Sequence, residues 1–269
     1  MKKMNKLRNL LLDVIKNEIK DEKSIAIFFS GGTDSLTCLF TCLELGLKPI
    51  LYTFHLENYI SEDVKISQKI ANYYDLELKI IIIEKNKDQL ITDVKNLVNN
   101  YRINNKICLQ ILYPFPYVLE EVNESLILTG LSADTLYGTN YHSKMKNVKN
   151  FNEIRKNLIN SDEIDGYISL KKMVRNSNKK LVAPYRNQKI IDFFLTHSWN
   201  ELNTPLQKNL SYEAFYDYFK KLKVYRESSS LPINSKITEW HQTIFSSKLN
   251  TNHRKHLDEI IQDILQDKT

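Results

Sequence analysis

Long apolar runs are missing from this 269-residue chain. None approaches the roughly 20 consecutive apolar residues that a helix needs to cross a bilayer, so no membrane partner is expected. Cysteine is scarce: Cys38, Cys42 and Cys108 are the whole complement, and no two stand as CxxC. That excludes a zinc ribbon and a dithiol redox motif. Cys38 and Cys42, four residues apart, instead fit one buried face of a helix. The two common glycine-rich nucleotide signatures are lacking as well, with neither GxGxxG nor the Gly-Lys-Ser/Thr ending of a Walker A loop. The six histidines, His55, His142, His197, His241, His253 and His256, show no metal-ligand spacing and read as exposed loop residues.

What remains has the composition of a globular protein, with room for one large α/β domain or for a core plus a smaller helical part. The net charge of +6 reads first as a lysine-coated surface and second as attraction to phosphate ligands or nucleic acid. The sequence shows no compact basic patch that favours the second reading. The basic start, Met1 to Lys6, leads into Leu7, Leu10, Leu11, Val14 and Ile15 at helical spacing, without an apolar signal region or a cleavage site. An amphipathic first helix and a cytoplasmic location are therefore expected.

Strands and helices then alternate. Short apolar runs at 24–29, 49–54, 78–83 and 125–129 read as buried strands, the second of them followed directly by His55. Helical patterns lie between them, at 34–45 with Gly46 as the stop, from Ser61 to about Tyr74, near 88–98 and near 117–122. This alternation implies βαβ units and a parallel sheet covered on both faces. From about Tyr141 polar helical stretches take over, broken by Pro184, Pro205 and Pro232. The expected division is an N-terminal helix (1–22), an α/β core (23–140) and a helical region packed over the carboxyl edge of the sheet (141–269). Ligands of such sheets bind beyond the carboxyl ends of the strands. The loops at 30–35 and 130–138 should share that rim.

The first loop, Ser30-Gly31-Gly32-Thr33-Asp34-Ser35, joins a buried strand to a helix. Two glycines permit a tight turn and close approach of a ligand, and the N–H groups at a helix start attract anions. Ser30, Thr33 and Ser35 add hydroxyl groups for phosphate oxygens. Asp34 would repel a phosphate unless a cation lies between them, so Mg²⁺ is implied. The loop resembles the SGGxDS signature of PP-loop ATP pyrophosphatases, which implies that ATP is held here and split between its α and β phosphates.

A second segment, Leu128 to Gly138, is similar to the LSGEGADELFGG element of asparagine-synthetase and β-lactam-synthetase domains, with matches at Gly130, Ala133, Asp134, Leu136 and Gly138. The resemblance implies an adenine-nucleotide alpha-hydrolase-like (PP-loop) α/β core with a mostly helical C-terminal part. It implies that Gly130 lets the backbone approach AMP and that Thr53 frames the adenine. It also implies that Asp34 and Asp134 share the magnesium ions. Two positions depart from the pattern, since the family's glutamates are Leu131 and Thr135 here. Segment 183–194 resembles the family's VPFLD element, and Tyr225 to Ser230 falls where the family carries an Arg- and Lys-bearing loop. Arg186 and Arg226, with Asp134, are thereby candidates for catalysis, and Lys236 for the family's lysine.

The implied reaction is amide formation. A small-molecule or peptide carboxyl oxygen is adenylated with release of pyrophosphate, then attacked by ammonia or an amine. The chain begins Met1-Lys2, without the nucleophilic cysteine of glutaminase-bearing relatives, so ammonia would come free or from a separate glutaminase. Two alternatives stand beside this reading: a PP-loop enzyme that modifies tRNA or another nucleotide, and a non-catalytic ATP-binding scaffold.

Overall fold

The structure is a computed structural model and describes residues 2–20, 22, 24–139, 148–161, 165–225, 230–245 and 253–266. Five parallel strands form one sheet: β1 (Ile25–Phe28), β2 (Ile50–Leu56), β3 (Leu78–Ile83), β4 (Leu126–Thr129) and β5 (Lys180–Val182), in the order β3-β2-β1-β4-β5. Side chains alternate across it. Ile25, Ile27, Leu126 and Leu128 enter one core, while Ala26, Phe28 and Ile127 enter the other. Helices cover both faces, which is why the strands carry apolar residues on both sides.

On the first face lie α1 (Lys2–Ile19) and α2 (Thr33–Glu44). Leu7, Leu11 and Ile15 of α1 are fully buried there, as are Cys38 and Cys42 of α2. On the second lie α4 (Lys87–Tyr101), α5 (Lys106–Leu112) and α6 (Phe115–Glu121), following α3 (Glu62–Tyr74) in the chain. The sequence reading had no counterpart for α5. It also ended β2 at Phe54, whereas the strand continues through His55 to Leu56, and the His55 ring meets the Leu56 carbonyl instead of lying in a loop. His197 and His241 are likewise not exposed: both are buried, and His241 packs edge-on against Tyr113. His142 lies outside the described residues.

β5 was not foreseen either. It comes from the polar second half of the chain and pairs with β4, register Leu126 to Lys180. Before it run α7 (Ala133–Tyr137), α8 (Phe151–Asn160) and α9 (Tyr167–Asn176). After it come α10 (Gln188–Leu195), α11 (Trp199–Asn203), α12 (Asn209–Ala214), α13 (Tyr216–Leu222), α14 (Leu231–Asn234), α15 (Ile237–Phe245) and α16 (His253–Gln266). Among the described residues no helix is long and apolar enough to cross a membrane.

The chain moves outward from β1 to β2 and β3 on one side of the sheet and from β4 to β5 on the other. The order reverses between β1 and β4, and a crevice opens there at the carboxyl edge, the usual ligand position of an open parallel sheet.

Candidate functional site

A cavity of about 460 Å³ fills that crevice. Ser30, Gly32, Thr33, Asp34 and Ser35 line it from the loop after β1, Thr53 from β2, and Gly130, Leu131, Ser132 and Asp134 from the segment after β4. The two loops singled out in the sequence thus share one cavity.

The first loop leaves the start of α2 uncapped by any side chain. Gly31 takes φ +66°, the left-handed conformation that favours glycine, and Gly32 stands at the N-cap of α2 with no side chain capping the helix. The serines brace the turn instead. Ser35 Oγ donates to the Gly32 carbonyl at 3.0 Å, and the Gly32 amide donates to Ser30 Oγ at 3.3 Å. Thr37 fixes the first turn of α2 by donating to the Asp34 carbonyl at 2.8 Å, and its hydroxyl meets Tyr185 Oη at 2.7 Å. The outcome is a helix start pointing its positive end into the cavity.

The second loop is pressed against the first. A Cβ added to Gly130 would lie 2.6 Å from the Asp34 carbonyl carbon and 2.7 Å from Asp34 Cβ. The contact that needs a glycine here is with the neighbouring loop. Ser132 follows at φ +74° and opens α7, and Gly138 closes it at φ +68°. Thr139 Oγ1 then donates to Asp134 Oδ1 at 2.5 Å, which fixes the carboxylate.

Lys208 joins the two loops. Its ammonium lies 2.5 Å from Asp34 Oδ2 and 2.7 Å from Asp134 Oδ1, with only 3% of its side chain exposed. The backbone carries it there. Lys208 takes φ +57° just before α12, and its amide donates to Asn203 Oδ1 at 3.0 Å while Asn203 Nδ2 donates to the Tyr137 carbonyl at 2.8 Å. Burial pulls the lysine down, but the two carboxylates outweigh it and hold it above its ordinary value, so it stays charged. Asp34 is pushed up to about 6 by burial, against the pull of Lys208 and with a further push from Asp134. Lys208 was not identified in the sequence. It sits in no motif, and its only local signal is a polar Gln-Lys-Asn stretch after Pro205.

Asp34 Oδ1 is buried and accepts no hydrogen bond. An ionised oxygen in that state fits a cation. Among the described residues no group of three or more acidic, histidine or cysteine side chains could cage a metal alone. Magnesium is commonly held by one or two carboxylates with phosphates completing the shell, so the pair Asp34 and Asp134 suits it in the company of a nucleotide.

Arg186 does not face the cavity as a free charge. Its Nη2 donates to both oxygens of Asp165 at 2.7 and 2.9 Å, its Nε to Ser132 Oγ at 2.6 Å and its Nη1 to the Ile159 carbonyl, and the guanidinium lies over the Tyr167 ring. It is a strut behind Ser132, and among the described residues Lys208 is the cation that lines the cavity. Lys236 is corrected as well. It pairs with Glu239 at 3.2 Å, lies over Tyr59 and is 42% exposed, away from the cavity lining. Arg226 lies outside the described residues.

The family model described as asparagine synthase matches residues 6–262. No curated protein matches the chain. Among solved structures, the U34-tRNA thiolase NcsA from Methanococcus maripaludis aligns at 15% identity and TM-score 0.40 over 98% of this chain and 79% of that one. NMN synthetase from Francisella tularensis aligns at 15% and 0.35 over 93% and 98%. A predicted subunit of tRNA methyltransferase from Methanocaldococcus jannaschii aligns at 16% and 0.35 over 64% and 75%. Likenesses this distant bear on no point of function. The family match spans the sheet and both cavity loops, and on that ground the chain belongs to the asparagine synthase family, whose members use ATP.

Proposed function

We propose that this protein is an ATP-dependent, AMP-forming amide ligase. ATP lies with its phosphates on Ser30 to Ser35 and its base beside Thr53. The carboxyl oxygen of an acid attacks the α-phosphorus, the bond from that phosphorus to the bridging oxygen breaks, and the electron pair leaves with pyrophosphate. Ammonia or an amine then attacks the acyl carbon of the adenylate, the bond from that carbon to the bridging oxygen breaks so that the oxygen leaves on AMP, and the nitrogen releases one proton to solvent. Asp34 and Asp134 would hold Mg²⁺, which would supply neutralisation of the phosphate charge. Lys208 orients the phosphates and offsets negative charge that grows on the leaving group, an electrostatic contribution of the kind that dominates such reactions.

One observation carries this reading: the helix start at Ser30 to Ser35 and the carboxylate of Asp134 meet across Lys208 at 2.5 and 2.7 Å. The test is product identity. With α-labelled ATP, Mg²⁺, a panel of acids and ammonium, the label should appear in AMP. Asp34→Asn should lower the rate by about a hundredfold or more. Label in ADP, or turnover untouched by the substitution, would refute the proposal.

A tRNA-modifying reading has one observation in its favour. Lys65, Lys69 and Lys223, with Glu62, line a second pocket on the Gly31 side of the loop, which shares Thr33 with the main cavity. If tRNA is the acceptor, label from α-labelled ATP should be transferred or released as AMP only when tRNA is added, with affinity that falls steeply with salt.

A further inference from the structure

The turn that follows β5 reaches both cavity loops. Pro184 to Arg186 form a single turn of 3-10 helix, closed by the Arg186 amide on the Ala183 carbonyl and the Asn187 amide on the Pro184 carbonyl. Tyr185 is fully buried and brings its hydroxyl to 2.7 Å from Thr37 Oγ1, in the first turn of α2. Its neighbour Arg186 donates to Ser132 Oγ at 2.6 Å, two residues before Asp134. In the VPFLD element that this segment resembles, the same two positions are phenylalanine and leucine, which can make neither bond.

The direction of the first bond is set by the protons present. A threonine hydroxyl has one to give, and Thr37 gives it to the Asp34 carbonyl at 2.8 Å. Tyr185 therefore donates to Thr37 Oγ1. Burial, then the nearby Tyr137 and Asp34, push the Tyr185 phenol well above its ordinary range, so it keeps the proton that it donates. The relay from Tyr185 through Thr37 thus holds the backbone of Asp34, whose carboxylate is otherwise met by Lys208 at Oδ2 and accepts no hydrogen bond at Oδ1. On the other side Arg186 is itself pinned by Asp165 and the Ile159 carbonyl. Neither Tyr185 nor Arg186 lines the cavity.

We infer that Tyr185 and Arg186 are positioning residues: adjacent on one turn, they clamp the two loops and set the gap between Asp34 and Asp134 from behind the site. Small displacements of groups that hold a reacting ligand are costly to its chemistry, which gives such a clamp its use. This inference rests on the reading of Asp34 and Asp134 as holders of the nucleotide's cation.

Mn²⁺ binding to the full chain in the presence of α,β-methylene-ATP, followed by electron paramagnetic resonance, tests it beside urea denaturation. Tyr185→Phe keeps the ring and removes the donor, and should weaken Mn²⁺ binding about three- to tenfold, the worth of one hydrogen bond. Thr37→Val should weaken it at least as much. Adding Tyr185→Phe to Thr37→Val should then change the affinity by less than about twofold, because the relay is already cut. Arg186→Lys keeps a charge for Asp165 and loses the bond to Ser132, and should also weaken binding about three- to tenfold. Should it not fold, Ser132→Ala cuts the same bond. An affinity within about twofold of wild type in Tyr185→Phe or in the variant that cuts the Ser132 bond overturns the clamp, even where the denaturation midpoint falls. Losses from Tyr185→Phe and Thr37→Val that simply multiply overturn it as well. If the wild type binds no Mn²⁺ with the nucleotide, the proposed function falls, and hydrogen exchange decides the clamp by itself. The Leu36 amide, bonded to the Gly32 carbonyl at 2.9 Å, should exchange faster in Tyr185→Phe, and unchanged exchange overturns the inference.

Discussion

Among single residues, Lys208 and the two carboxylates that it joins decide the chemistry of the cavity. A lysine removed from water is tolerated here because both partners sit at hydrogen-bond distance. Lys208→Met should therefore lower AMP formation by about a hundredfold or more. It should also lower the melting temperature, because two acids would then face each other without their counter-ion. Thermal unfolding monitored by circular dichroism, beside the product assay, checks both. Asp34 sets a pH limit. Burial holds its pKa up to about 6, so the carboxylate is lost as pH falls through that value and the cation loses a ligand. Nucleotide-dependent Mn²⁺ binding, followed by electron paramagnetic resonance, should decline below about pH 6. The sign for stability is opposite. The folded protein keeps the Asp34 proton to a higher pH than the unfolded chain does, so between its ordinary value of 3.8 and about 6 this group lowers stability as pH rises.

At the scale of elements, two contacts decide whether the loops meet. Gly130 lets β4 run against the first turn of α2, and a methyl group there would lie within 2.8 Å of three Asp34 atoms. Gly130→Ala should cost about 1–3 kcal/mol by overpacking and should separate Asp34 from Asp134. The check is a paired measurement of denaturation midpoint and AMP formation, both falling. Arg155 is the other contact. Fully buried, it donates to the carbonyls of Leu136, Phe194 and His197 and to Asn152 Oδ1, and so binds α7, α8 and α10 together. Arg155→Ala should cost about 3–5 kcal/mol, because it strips donors from several buried acceptors at once. Urea denaturation measures it.

The same elements show what could be read from the sequence. β1 to β4 were legible because each is a short, mostly apolar run, and α2 and α3 because Gly46 marks the stop of one and Ser61 the start of the other. β5 was not, since three residues beginning with lysine carry no period, and their strand state comes from pairing with β4. Both cavity loops were legible from their glycines and acids. Lys208 was not, because what makes it functional is distance in space from Asp34, 174 positions away in the chain. Arg186 was legible as a charge but not as a strut, because its partner Asp165 lies in a stretch without a motif.

For the molecule as a whole, the sheet order β3-β2-β1-β4-β5 explains why one cavity gathers residues from both halves of the chain. The two loops come from the first half, and Lys208 and the apolar residues of α14 from the second. Thiol chemistry is not part of the design. Cys38, Cys42 and Cys108 are buried and joined in no disulfide, and burial holds Cys42 up to about 12 and Cys38 well above the ordinary thiol range. A thiol-reactive chromophore should leave all three unlabelled in the native protein at pH 8 and label them in denaturant.

The central claim is that both loops grip one nucleotide, and calorimetry with α,β-methylene-ATP and Mg²⁺ tests it most directly. Wild-type protein should bind one equivalent. Asp34→Asn and Asp134→Asn should each weaken binding, and the double variant should weaken it by clearly less than the two losses combined, as for two residues acting on one bound group. Binding that both single variants leave unchanged, or losses that simply add, would contradict the account.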